Sequence, residues 1–223
     1  MVLLKVLFSI LLLSATSTSA EVANNQSAKK NIAQCAFGAF SIESDPVGLN
    51  VRQAPNISSK VIGVLPPAIK SSELDDYIVK TELDVLGSQD GWILIANAGD
   101  NTMLTGKPAR RIFSGSGWVS GRKLTVKSQA KFGYAQPNIK SQQVLETKQG
   151  DFDNDELMHA GQMIACKGNW ALMEFSQHKL SAETNEALVV ASSAKKGLPK
   201  GHFRAWLHQL CGIQETSCSG MKH

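Results

Sequence analysis

The chain has 223 residues, with 23 Lys and Arg against 19 Asp and Glu, a formal charge of +4 and 6% aromatic residues. That length admits one large domain or two small ones, and so mild a basic balance gives no electrostatic reason to expect nucleic acid. Beyond the first residues, Asp, Lys or Gly interrupts every apolar run before it reaches the length of a membrane span.

The elements follow in chain order. Lys5 precedes an apolar run from Val6 to Leu13, and Thr18 and Ala20 place small residues third and first before a cut. This is the pattern of a secretory signal peptide over residues 1–20, cleaved after Ala20. The run is too short for an anchor, and Cys35 lies too far downstream for a lipoprotein. Removing Lys5 leaves a charge of +3, and an exported address makes nucleic acid a poor partner. Residues 21–34 are polar and read as a flexible leader.

From Ala36 onward, short apolar runs alternate with turn residues. Strands are expected at Leu49-Asn50-Val51-Arg52, Val61-Ile62-Gly63-Val64-Leu65, Glu82-Leu83-Asp84-Val85-Leu86, Trp92-Ile93-Leu94-Ile95-Ala96 and Gly117-Trp118-Val119-Ser120. Turns fall at Gln53-Ala54-Pro55-Asn56 and Ser88-Gln89-Asp90-Gly91, and Pro66-Pro67 ends the second strand. No helical period is sustained up to Leu124, so the fold class is all-β.

These residues resemble the bacterial SH3 domains (SH3b), small β-barrels of exported and wall-associated proteins. The opening pattern resembles Leu49-Asn50-Val51-Arg52 with Ala54-Pro55-Asn56 and Ser58 to Leu65; the middle, Leu86-Gly87 with Asp90-Gly91-Trp92; the closing strand, Gly117-Trp118-Val119-Ser120 with Leu124. Two departures stand out: a long acidic connection from Ala68 to Lys80, and an enlarged loop from Gly99 to Gly115.

The second half echoes the first. Pro55-Asn56-Ile57 with Ser59 returns as Pro137-Asn138-Ile139 with Ser141, Gly91-Trp92-Ile93-Leu94 as Gly168-Asn169-Trp170-Ala171-Leu172, and Trp118-Val119 as Trp206-Leu207. This copy lacks the Asn-Val-Arg block and inserts Ser181 to Lys200, of which Glu183 to Ser192 forms a short helix or a polar loop. The expected organisation is therefore two tandem small SH3-like β-barrels, over residues 35–126 and 127–223.

Four cysteines in an exported chain favour two disulfides, with three possible pairings. Joining Cys211 to Cys218 across a Gly-containing turn leaves Cys35 with Cys166; the other two pairings stay open. Zinc is disfavoured, because no Cys-x-x-Cys occurs and the histidines lack ligand spacing.

Catalytic readings fail on their requirements. Cys218-Ser219-Gly220-Met221 is superficially similar to an NlpC/P60 nucleophile motif, but only Lys222 and His223 follow it, too little for the helix and the later histidine that such a thiol needs. Cys166 with His159 or His178 lacks a supporting pattern. Asp151-Phe152-Asp153-Asn154-Asp155 opens like a calcium loop, yet Glu156 and Gln162 occupy the positions of the required Gly and bidentate Glu, so it reads as a solvated acidic turn. No cofactor and no metal are expected.

The candidate binding residues are Lys107, Arg110, Arg111, Trp118, Arg122 and Lys123, from an acid-free basic segment that a barrel would bring to one side. The plain alternative is that this segment pairs with Glu73, Asp75, Asp76, Glu82 and Asp84, or faces water. Trp92, Trp118, Trp170 and Trp206 read first as packing residues, and two tyrosines are too few for a polyproline groove. The resemblance implies an exported, non-enzymatic binding protein of the bacterial cell envelope, in the periplasm or secreted, whose ligand is peptidoglycan or an envelope protein. A second expectation is a periplasmic immunity protein that blocks a toxin or wall hydrolase through the Gly99 to Gly115 loop.

Overall fold

The first half builds its strands from alternating apolar residues and its hairpins from turn residues suited to left-handed backbone. In the computed structural model, which describes residues 32–75, 77–148, 150–152, 155–212 and 214, the first half contains β1 (Ala33–Ser41), β2 (Leu49–Arg52), β3 (Val61–Leu65), β4 (Ile69–Lys70), β5 (Ile78–Val79), β6 (Glu82–Gln89), β7 (Trp92–Gly99), helix α1 (Thr102–Thr105), β8 (Ser116–Ser120) and β9 (Leu124–Thr125). The signal peptide and all but the last three leader residues lie outside the described residues, as does Cys218. Regular structure starts at Ala33, inside the segment expected to be leader.

The five strands expected from the alternation are β2, β3, β6, β7 and β8. Between β6 and β7, Asp90 (φ 51°) and Gly91 (φ 81°) both adopt left-handed backbone, the requirement of the tight turn that matches strand twist. Besides the two-residue β4, β5 and β9, the strand missing from the sequence reading is β1, which pairs with β6 on one side and β9 on the other.

The second half contains β10 (Lys127–Ser128), β11 (Phe132–Tyr134), β12 (Gln143–Thr147), helix α2 (Asp155–Ala160), β13 (Gly161–Lys167), β14 (Trp170–Ser176), helix α3 (Ala182–Ala187), β15 (Leu188–Val190), helix α4 (Ser192–Lys195), β16 (His202–Leu207) and β17 (Leu210–Cys211). Of Glu183 to Ser192, the first part is the short helix α3, and the rest forms β15 and the start of α4.

All strand pairs within the sheets are antiparallel, and the two large sheets share an order. The first runs β3-β2-β8-β7-β6-β1-β9 and the second β13-β14-β16-β11-β12-β15. Read from the same end, β3-β2-β8-β7-β6 corresponds to β12-β11-β16-β14-β13. The register matches as well: Leu94 faces Trp118 and Arg52 faces Trp118 in the first sheet, while Leu172 and Tyr134 face Trp206 in the second. The β2–β3 and β11–β12 turns repeat their hydrogen bonds, with Gln53 N donating to Lys60 O and Ala135 N to Gln142 O, then Asn56 N to Ala54 O and Asn138 N to Gln136 O.

One hydrophobic cluster runs through both halves, from Val51, Val85, Ile93 and Leu124 to Leu145, Met163, Phe175 and Phe203. Phe175 and Phe203 stack at 5.2 Å. Full burial of such a side chain stabilises by about 1.5–3 kcal/mol. Trp170 packs at the edge of this core, between Tyr134 (5.5 Å) and His208 (4.7 Å).

Three features stitch the halves together. Cys35 is bonded to Cys166 across 131 residues of sequence, and Ser88 Oγ brackets that bridge by accepting from Cys166 N and donating to Cys166 O. Cys211 is also disulfide-bonded. Gly38 and Gly212 bring two backbones into contact: a Cβ on Gly38 would fall 2.4 Å from Gly212 Cα, so no larger residue fits. Beyond that contact, buried Gln214 donates to Lys80 O and Glu82 Oε1 and accepts from Lys80 N, while Tyr77 and Lys127 donate to its carbonyl. Burial pushes the Lys80 ammonium below its usual range, the charge of Lys127 acts the same way, and Asp155 opposes both.

Of the acidic turn expected to be solvated, Asp155 has a side chain that is 59% exposed, while Phe152 is buried. Phe152 is 2% exposed and its carbonyl accepts from Ser128 N, because β10 needs a partner there. Asp155 lies 4.0 Å from the buried Lys127 ammonium.

Candidate functional site: a groove on the second sheet

Strand β16 reads His-Phe-Arg-Ala-Trp-Leu, and a strand sends alternate residues to opposite faces. Phe203, Ala205 and Leu207 enter the core, so His202, Arg204 and Trp206 stand on the outer face. Leu172 and Glu174 join them from β14, opposite Trp206 and Arg204. The inserted segment then passes in front and contributes Lys196 and Leu198 as the other wall. The result is a groove of about 250 Å³ in which Trp206, Leu172 and Leu198 are apolar and Arg204 and Lys196 are cationic.

Arg204 is fixed in place from below. Its Nε donates to Glu174 Oε2 at 2.8 Å and its Nη2 sits 2.6 Å from the same oxygen. His202 Nδ1 lies 3.2 Å from Glu174 Oε1, and Arg122 Nη1 approaches that oxygen at 3.5 Å while also reaching Gln162 Oε1. Burial alone would raise the Glu174 carboxyl. Hydrogen bonds and charge from Arg204, then His202 and Arg122, outweigh it and hold the carboxyl below the usual carboxylate range. One buried carboxylate thus faces two guanidinium groups, of which only Arg204 lines the groove, and Lys196 is the second cation there.

The basic residues singled out in the sequence are not brought together. Arg110 turns inward: its backbone N, Nε and Nη2 all bond the Asp100 carboxylate, whose side chain is 1% exposed, and its Nη1 donates to Pro67 O. Lys107 is exposed beside Lys70 O, and Arg111 is exposed. Arg122 and Lys123 lie past the far end of β8, a strand about 17 Å long at ~3.4 Å per residue. Lys123 pairs with Glu43 at 3.0 Å. Their partners are therefore Asp100, Glu43 and Glu174, rather than the acidic stretch around Glu73 to Asp84.

Trp118 is 6% exposed, whereas its counterpart Trp206 is half-buried and lines the groove. The enlarged loop is fastened to the first sheet, since the Phe113 ring lies against Gly63 and Asn101 caps α1. A second hollow of about 340 Å³ near Glu82, Asp84 and Asp100 is acidic, but Asn101 and Gln214 engage Glu82, Asn97 engages Asp84, and Arg110 engages Asp100. Among the described residues, no group of three or more His, Cys, Asp or Glu is placed to hold a metal ion.

No family model, curated protein or solved structure matches the chain. The groove must therefore be interpreted from its own chemistry. It has an aromatic and aliphatic floor beside preset cations, without a nucleophile and base at bonding distance among its lining residues. Such a surface suits a ligand that joins an apolar or ring-shaped portion to a carboxylate.

Proposed function

We propose that the chain is an exported, non-enzymatic binding protein of a bacterial cell envelope, made of two SH3-like barrels, that holds a carboxylate-bearing ligand in the groove of the second barrel. The shared strand order, with equivalent Leu–Trp pairs and hairpins, supports reading the halves as a duplicated module. The Cys35–Cys166 disulfide is compatible with an oxidising compartment. Among the described residues no helix is long and apolar enough to cross a membrane.

The observation that carries the ligand class is the Glu174 cluster. Glu174 neutralises one guanidinium and presets Arg204 at the groove, where Lys196 is left as surplus positive charge. Peptidoglycan fits this chemistry, because its stem peptides present carboxylates next to aliphatic side chains and sugar rings. An envelope protein with an acidic surface segment is the other source.

Purified sacculi should retain the protein, and retention should weaken with salt because exposed cations contribute to it. Lys196→Glu reverses one exposed charge without touching the Glu174 network. It should lower retention about tenfold, equivalent to ~1.4 kcal/mol. Equal retention of wild type and variant would remove the groove from consideration.

A further inference from the structure

The two sheets differ at one edge. In the second sheet, β12 is covered by β15, with Leu145 opposite Val190, Glu146 opposite Val189 and Thr147 opposite Leu188. In the first sheet the corresponding strand, β3, is terminal. No described strand pairs with its outer edge.

Exposure records the difference. Val144 is 3% exposed, whereas Ile62, which corresponds to it, is 40% exposed; Val61 and Val64, also 40% exposed, are apolar where the second sheet carries Gln143 and Glu146. Val47 and Ile57 flank the same hairpin at 76% and 72%. Together they supply five of the eleven exposed large apolar side chains among the described residues. A row of unpaired backbone groups beneath apolar side chains is a template for another strand.

We propose that the β3 edge is a second interaction surface, which binds an extended apolar segment of a partner protein as an added antiparallel strand. The chain supplies the pattern in its own second half, where Leu188-Val189-Val190 occupies the equivalent edge. The area favours a peptide segment over a second copy of the chain. A five-residue strand edge is about 17 Å long and covers on the order of 200 Å², far below the roughly 800 Å² per partner of a stable dimer. Charge agrees: Lys60 opens the strand and no acid occurs from Lys60 to Pro67, so the best segment carries a carboxylate near its C-terminal end. This surface lies on the other sheet from the groove, and the inference does not rest on the proposed ligand.

The test uses the chain and a synthetic peptide with the sequence of residues 183–191, labelled at its N-terminus and carrying a free C-terminal carboxylate. Saturable binding is expected, with slowed amide exchange at residues 61–65. Val64→Lys and Ile62→Lys should each weaken it at least tenfold, and Lys196→Glu should leave it unchanged. The same peptide with Val189→Pro, which removes a ladder donor, should bind at least tenfold more weakly. Binding that survives both β3 substitutions would overturn the proposal, as would no binding at all. A concentration-dependent dimer abolished by Val64→Lys would also overturn it, by assigning the edge to a second copy.

Discussion

Arg110 and Arg122 come from one basic run, and the fold uses them in opposite ways. Arg110 closes on an almost fully buried Asp100 and fastens the long loop, so its charge is not offered to a partner. Removing it strands a buried carboxylate, which costs several kcal/mol when the pair is fully enclosed. With Arg110 still 24% exposed, Arg110→Ala should lower stability by about 2 kcal/mol in a denaturant titration. A loss near zero would show that the pair only decorates the surface. Arg122, 57% exposed, reaches the Glu174 cluster instead. Spacing in the sequence could not separate these roles, because Asp100 shares the enlarged loop with Arg110 whereas the partner of Arg122, Glu174, comes from β14 in the other half.

The same acids set the response to pH. Glu43, Asp100 and Glu174 are each held below the ordinary carboxylate range by lysine or arginine partners and hydrogen bonds that outweigh burial. A carboxyl with a depressed folded pKa contributes stability above its unfolded value and loses it as pH falls through the folded one. Thermal stability should therefore hold from neutrality down to about pH 4.5 and fall steeply below it. A melting temperature unchanged between about pH 5 and pH 3 would contradict these pairings.

At the scale of elements, legibility followed periodicity. β2, β3, β6, β7 and β8 alternate cleanly or end in Gly-containing turns, and all five were readable. β1 was not: Ala, Gly and Ser dilute its pattern, and its register shifts between Gln34 and Phe37. β16 alternates well, and its outward His202, Arg204 and Trp206 were the available signal for the groove. The echo of Trp118 in Trp206 marks sequence order and carries no sign of which of the two tryptophans is buried. The inserted segment carried a helical composition, yet its middle residues Leu188-Val189-Val190 are β-branched or aliphatic and complete a sheet edge. Glu156 secures that arrangement, its carboxylate accepting from Ser181 N, Ser181 Oγ and Thr184 Oγ1 at the start of α3. Glu156→Ala should loosen α3 and β15 together, read as faster amide exchange at residues 182–190 with β13 and β14 unaffected. Exchange unchanged in that segment would mean that β15 holds itself.

For the whole molecule, the sequence suggested two modules but carried no sign of how closely they depend on each other. The core cluster is continuous across both halves, and β10, β17 and Gln214 return the chain to the first sheet. Such interleaving predicts one cooperative thermal transition; two well-separated transitions would contradict it. Opening the Cys35–Cys166 bridge releases a loop of more than a hundred residues. In the chain-entropy picture this costs up to about 5 kcal/mol, so Cys35→Ser with Cys166→Ser should lower the melting temperature by roughly 10 °C or more. A shift of a degree or two would show that the interleaved strands already hold the halves without it.

The ligand remains the claim on which the functional account turns, and the groove offers a direct measurement. Purified peptidoglycan sacculi are incubated with the wild-type chain and with Lys196→Glu, and the retained fractions are compared at matched folding and low salt. Retention of the wild type, about tenfold stronger than that of the variant, is the predicted result. No retention of the wild type, or equal retention of both, would contradict a carboxylate-binding groove for this ligand.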